Sequence, residues 1–132
     1  MSEHPNITKL KALVAAIQGG DLGAVLDAYA EDGIYRVAGD NVVSGSYQGH
    51  EAIRDFFIHL MQVTEGTMRL EVQDVLADDD HAVMFWRVTA DRNGKSLDAT
   101  GAMAFKVNAE GRYSESWFLY NDQRAYDAFY AA

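Results

Sequence analysis

The sequence predicts an α+β fold, a curved antiparallel sheet wrapped around N-terminal helices to make a cone-shaped α+β barrel. Three observations predict it. Apolar residues recur at three- and four-residue spacing through the first half of the chain and at two-residue spacing in most of the second. The alternating half is cut into four runs by turn clusters, at Asp78-Asp79-Asp80, at Arg92-Asn93-Gly94 and at 108–111. Helices grouped ahead of an antiparallel meander pack on one face of one sheet. A sheet that curls strongly around its helices forms a cone, and the open end of a cone is a pocket.

Each element follows from local pattern. Residues 1–6 read as a tail that holds the single proline, Pro5. Asn6 or Thr8 can cap a first helix, with Ile7, Leu10, Leu13, Val14 and Ile17 as its apolar stripe, ended by Gly19-Gly20. Asp21 caps a second helix that buries Leu22, Val25, Leu26 and Tyr29 and stops at Asp32-Gly33. A short strand over 34–37 follows, then a loop or ragged hairpin over 38–49. A loop of that length in a compact domain often borders a binding site. Gly49 or His50 opens a third helix, with Ile53, Phe56, Phe57, Leu60 and Met61 on one stripe and Glu51 suiting the helix dipole.

The first sheet run, 67–76, alternates at Met68, Leu70 and Val72, then slips at Asp74-Val75-Leu76, the pattern of a bulge that curls a strand. The second, 81–91, is apolar on both faces and therefore needs two covers, the helices and a second subunit. Asn93-Gly94 fits a tight hairpin turn. The third run, 96–107, places Leu97, Ala99, Gly101, Met103, Phe105 and Val107 on one face, with small residues leaving room there. The fourth, 112–121, is aromatic, and its pattern leaves open which face looks inward. Asp122 can cap a tail helix whose Tyr126, Phe129 and Tyr130 pack back.

Composition bounds the function. At 132 residues with 48% hydrophobic content, the chain is one globular domain, 1–132. It has no apolar run long enough to span a membrane and no charged leader with a cleavage site, so a soluble, cytoplasmic protein without membrane partners is expected. A net charge of −9 argues against nucleic acid. The lack of cysteine excludes disulfides and thiolate metal ligands, and no two histidines have ligand spacing, so no metal is expected.

Four stretches carry a resemblance: Ala16 through Leu22 (AIQGGDL), Tyr29 through Gly33 (YAEDG), Tyr47 through Phe57 (YQGHEAIRDFF) and Val107 through Arg112 (VNAEGR). In this order and spacing, covering nearly the whole chain, they resemble the superfamily named for nuclear transport factor two. It includes ketosteroid isomerases, SnoaL-like polyketide cyclases and limonene epoxide hydrolases. The resemblance implies a cone that binds a small apolar molecule and a dimer formed through the convex sheet face. It does not carry over a catalytic set. The positions matching the isomerases' helix tyrosine, base aspartate and proton-donating aspartic acid fall at or near Leu13, Val37 and Met103. For the epoxide hydrolases, Arg87-Val88-Thr89 keeps the arginine but has threonine at the carboxylate position, and Leu119 stands near the last aspartate. Asp122 is the residue that matches the looser SnoaL-like pattern.

The resulting expectation is a small-molecule-binding protein that needs no cofactor. One reading is an isomerase, cyclase or hydratase acting on an apolar carbonyl compound, with Asp122, His50 or Tyr120 as the proton-transferring group. The other is a non-catalytic hydrophobic-ligand-binding module or a dimeric scaffold. Tyr29, Tyr35, Phe57, Trp86, Met103, Phe105 and Phe118 are expected to line the pocket, because core and pocket wall are partly the same residues in such a fold. Side-chain alternation turns Arg87 and Asp98 outward, where a cross-strand ion pair explains both.

Overall fold

The computed structural model describes residues 3–132. Helices α1 (Pro5–Gly19), α2 (Leu22–Ala28) and α3 (His50–Val63) lie against six strands: β1 (Tyr29–Val37), β2 (Gly45–Gln48), β3 (Arg69–Ala77), β4 (His81–Arg92), β5 (Lys95–Val107) and β6 (Tyr113–Tyr120). A short helix, α4 (Gln123–Phe129), follows. The strands form one sheet in the order β2-β1-β6-β5-β4-β3. All neighbours are antiparallel except β1 and β6, which run parallel. The meander from β3 to β6 is antiparallel throughout, as expected, and the parallel pair lies outside it, where β1 joins the meander's last strand. The parallel pairing is possible because β1 and β6 are joined through α3 and four strands, far more chain than a parallel connection needs. The sheet curls without closing. No helix of the described residues is long and apolar enough to cross a membrane.

Three irregularities set the curl. The β3–β4 register shifts between Val72 and Asp74, where the alternation slips in the sequence. A second shift lies between Tyr29 and Ile34 in the β1–β6 pairing. The third, between Lys106 and Val107 opposite Glu115 and Tyr113, puts an extra residue into β6. Tyr113 and Ser116 consequently both point inward although they are an odd number of positions apart, and Phe118 and Tyr120 follow Ser116 on the inner face. This bulge is why alternation alone could not orient β6.

The ends of β3 to β6 shift by a residue or two from the sequence reading, and two helix boundaries differ for a visible reason. Helix α1 begins at Pro5, ahead of Asn6 and Thr8. The His4 side chain accepts from the Asn6 N–H at 3.1 Å, and proline needs no donor at the first helical position. Tyr29 ends α2 instead of extending it; it opens β1, with its ring buried and its hydroxyl 2.7 Å from the Ser116 hydroxyl. Asp32-Gly33 therefore lies inside a strand. A Cβ on Gly33 would stand 3.0 Å from the carbonyl oxygens of Ala30 and Tyr113.

The core lies between the helices and the concave face. Leu10, Leu13 and Val14 of α1 and Ile53, Phe56 and Leu60 of α3 meet Tyr35, Met84, Trp86, Val88, Met103 and Phe105 of the sheet. Fully burying one such aliphatic or aromatic side chain contributes about 1.5–3 kcal/mol. On the opposite face Arg87 donates two hydrogen bonds to Asp98, at 2.8 and 2.7 Å, the outward pair that alternation predicts. Phe85 and Leu119 are exposed beside it.

Candidate functional site

The helices and the sheet do not meet everywhere. A cavity of about 30 Å³ remains between α1, α3, α4 and the concave face, room for about two water molecules. Its walls come from Ile17 of α1, from Phe56, Phe57 and Leu60 of α3, and from Tyr126 of α4. The sheet adds Tyr35, Val37, Leu70, Met84, Val88, Met103, Phe118 and Tyr120, and Met68 completes the lining just ahead of β3. The cone is thus mostly filled by its own side chains.

One end is held shut by the segment between β1 and β2 and by α4. Asp127 of α4 accepts from the Asp40 N–H at 3.1 Å, from Asn41 Nδ2 at 2.7 Å and from Gln123 Nε2 at 3.0 Å. The Val42 N–H donates to the Tyr130 carbonyl, and His59 Nε2 donates to the Val42 carbonyl at 3.2 Å. Burial alone would raise the Asp127 carboxyl, but the hydrogen bonds from Asn41, Asp40 and Gln123 outweigh it and hold the group below the usual carboxylate range.

The polar atoms on the cavity wall are phenols. Tyr120 stacks on Tyr126, with ring centroids 3.3 Å apart, and Tyr126 contacts Tyr130 at 4.8 Å. The Tyr120 and Tyr130 hydroxyls are buried and have no partner at hydrogen-bonding geometry, although Tyr126 lies close enough to perturb both. Burial pushes Tyr35, Tyr120 and Tyr126 well above the ordinary phenol range and Tyr130 up to about 12. These groups stay protonated near neutral pH, so they act as uncharged hydrogen-bond donors and not as bases.

The structure separates the candidate residues into two groups. Tyr35, Phe57, Met103, Phe118 and Tyr120 lie on the cavity wall. Trp86 stands behind Phe118, stacked on it at 4.6 Å, with its indole N–H unpartnered. Phe105 packs on Tyr113 at 4.6 Å, and Tyr29 is tied to Ser116, both away from the lining. His50 opens α3 and donates through Nε2 to the Tyr29 carbonyl at 2.9 Å. Asp122 is exposed and accepts from the Ala125 N–H, capping α4. Neither His50 nor Asp122 lines the cavity.

Val37 and Met103, at or near which the resemblance led one to look for the isomerases' acids, both face the cavity with apolar side chains. Sequence reasoning missed Tyr126 as a wall residue. Its spacing from Tyr120 across the α4 cap was the available signal.

These features accompany similarity to known proteins. An uncharacterised protein of Mycobacterium tuberculosis is 28% identical over 132 residues, covering 99% of this chain and 100% of its own. The structure of Bal32a, from a soil-derived mobile gene cassette, superposes with a TM-score of 0.89 at 28% identity, covering 95% of both chains. TerC, co-crystallised with polyporic acid, superposes with a TM-score of 0.83 at 20% identity, over 96% of this chain and 98% of that one. Solved proteins of the nuclear transport factor two-like class share the fold. Residues 10–116, well over half of the chain, match the SnoaL-like domain, and this chain is a member of the SnoaL-like family.

Proposed function

We propose that the protein binds a small apolar molecule carrying a carbonyl group, held in the cone with the Tyr120 hydroxyl as donor. One observation carries this reading: the buried, unpartnered Tyr120 hydroxyl stands on the wall of a cavity whose other polar groups are only the Tyr35 and Tyr126 phenols. Leaving such a donor unpaired costs about 1–3 kcal/mol, and a ligand carbonyl relieves that cost. The polyporic acid bound by TerC supports a small-molecule role for this fold.

The reading is binding before chemistry. Isomerase-, cyclase- or hydratase-type proton transfer needs a group that accepts a proton as well as one that polarises the carbonyl. The wall supplies the second in Tyr120 and no carboxylate or imidazole for the first, among the described residues. The test is a thermal-shift panel of steroids, polyketide-like ketones and terpenoids. A ligand at a hundred times its Kd stabilises the native form by about 2.7 kcal/mol. At least one class raises the Tm of the wild type, and Tyr120→Phe loses most of that rise. No shift from any compound overturns the reading.

The reading includes a homodimer through the convex sheet face. There Phe85 and Leu119 flank a groove floored by Thr100 and Ala102. A two-fold axis would let the same patch serve both subunits, each burying Phe85 beside its partner's small residues.

A further inference from the structure

The inner cavity has a neighbour that the proposed reading does not use. A second apolar hollow of about 140 Å³ lies between α1, α2 and α3. Ile17, Phe57, Leu60 and Met68 form a wall common to both spaces. The outer hollow is rimmed by Ile58 and Met61, which are 44% and 60% exposed. On the sequence reading Met61 belonged to the buried stripe of α3, yet it stands open to solvent at the hollow's edge.

Size forces the question of what enters. Ligand pockets for drug-sized molecules run to about 300–1,000 Å³, and the inner cavity is a tenth of the lower bound or less. The dividing wall is uneven. Phe57 is held edge-on by Tyr35 at 5.4 Å and by Phe56 at 5.2 Å. Leu60 is buried. Met68 is half-buried, unbranched and placed just ahead of β3, after two residues with positive φ, Glu65 and Gly66. A methionine side chain turns aside at small cost.

Resting on the reading that Tyr120 holds a ligand carbonyl, we propose that the two hollows are one ligand site. The ligand is an elongated amphiphile with a carbonyl head in the inner cavity and a hydrocarbon tail in the outer hollow against Ile58 and Met61. Met68 is the movable partition. Continuity of the walls argues for a single occupant, since a tail leaving the inner cavity past Met68 enters an apolar surface already in place.

The test uses methyl ketones from butanone to dodecanone, titrated calorimetrically against the wild type, Ile58→Asp and Met61→Asp. Both positions are on the exposed rim, so the core is untouched. In the wild type, affinity rises about fourfold per added methylene through the longest ketones. Each aspartate variant binds dodecanone at least tenfold more weakly and butanone unchanged. If affinity levels off at short ketones, or the variants bind dodecanone as the wild type does, the two-chamber site is overturned while ketone binding in the cone stands. If no ketone binds at all, the underlying reading falls and this one with it. Sedimentation separates the remaining case: a Met61→Asp variant that changes mass but not ketone affinity makes the outer hollow a contact between copies and overturns the proposal.

Discussion

Trp86 and Phe118 lie face to face, ring centroids 4.6 Å apart and planes 9° apart, although they belong to strands separated by β5. Gly101 makes this possible. It pairs with both Trp86 and Tyr120, and a Cβ there would collide with the Trp86 ring and the Leu119 carbonyl oxygen. Phe118 therefore reaches the cavity wall with a flat indole behind it. Gly101→Ala is expected to lower stability by about 1–3 kcal/mol, the usual cost of overpacking a filled core. Urea unfolding checks this: the midpoint falls and the slope stays unchanged.

Two tyrosines offer a controlled comparison. The Tyr29 hydroxyl is paired with Ser116 at 2.7 Å in the core, whereas that of Tyr120 is buried without a partner. Tyr29→Phe strands the Ser116 hydroxyl and is expected to cost about 1–3 kcal/mol. Tyr120→Phe removes an unsatisfied group and leaves the stability of the free protein unchanged or higher. Thermal unfolding of both variants decides; a Tyr120→Phe variant as unstable as Tyr29→Phe would show that the Tyr120 hydroxyl is satisfied in solution.

All seven tyrosines are shifted upward, chiefly by burial. A phenol whose folded pKa exceeds its unfolded value stabilises the fold fully below about pH 10, the unfolded value, and loses that contribution as pH rises through the folded pKa. Spectrophotometric titration should show none of the six tyrosines other than the half-exposed Tyr47 ionising near pH 10 in the native protein. Tyrosinate absorbance should then rise steeply with alkaline unfolding. Any of those six ionising at its ordinary pKa while the fold is intact would contradict this packing.

Asp127 gives the opposite sign. Its folded pKa is depressed, so its contribution is present above about pH 4, the unfolded carboxylate value, and lost as pH falls through the folded pKa. Asp127→Ala should lower the Tm at pH 7 by loosening the 38–44 segment from α4. The gap to the wild type should narrow below pH 4. A gap independent of pH would mean that the carboxylate charge does not hold that segment.

The convex face yields a prediction about assembly. Leu119→Asp adds a charge to a side chain that is 46% exposed, so folding should survive. Under the dimer reading, the sedimenting mass falls to that of one chain while ketone binding persists. An unchanged mass would place the dimer contact elsewhere or remove it.

Much of the fold was legible because secondary-structure period is a local property. The α3 stripe as far as Leu60, the bulge in β3, the Asn93-Gly94 turn with both residues at positive φ, and the caps at Asp21 and Asp122 all follow from residues within a few positions of one another. The outward pair of Arg87 and Asp98 followed from alternation on two neighbouring strands. The site was less legible. Trp86, Phe105 and Tyr29 are as apolar or aromatic as Phe118 and Tyr35, and nothing in their local sequence distinguishes a wall from the layer behind it.

Residue type and short-range spacing were enough for the α+β class and for the helices on one face. Tertiary structure alone decided the parallel β1–β6 pairing, the inward face of β6 and the seating of Tyr126 against Tyr120. An extra residue in β6 reverses which side chains point inward, and only contact between distant strands places that residue.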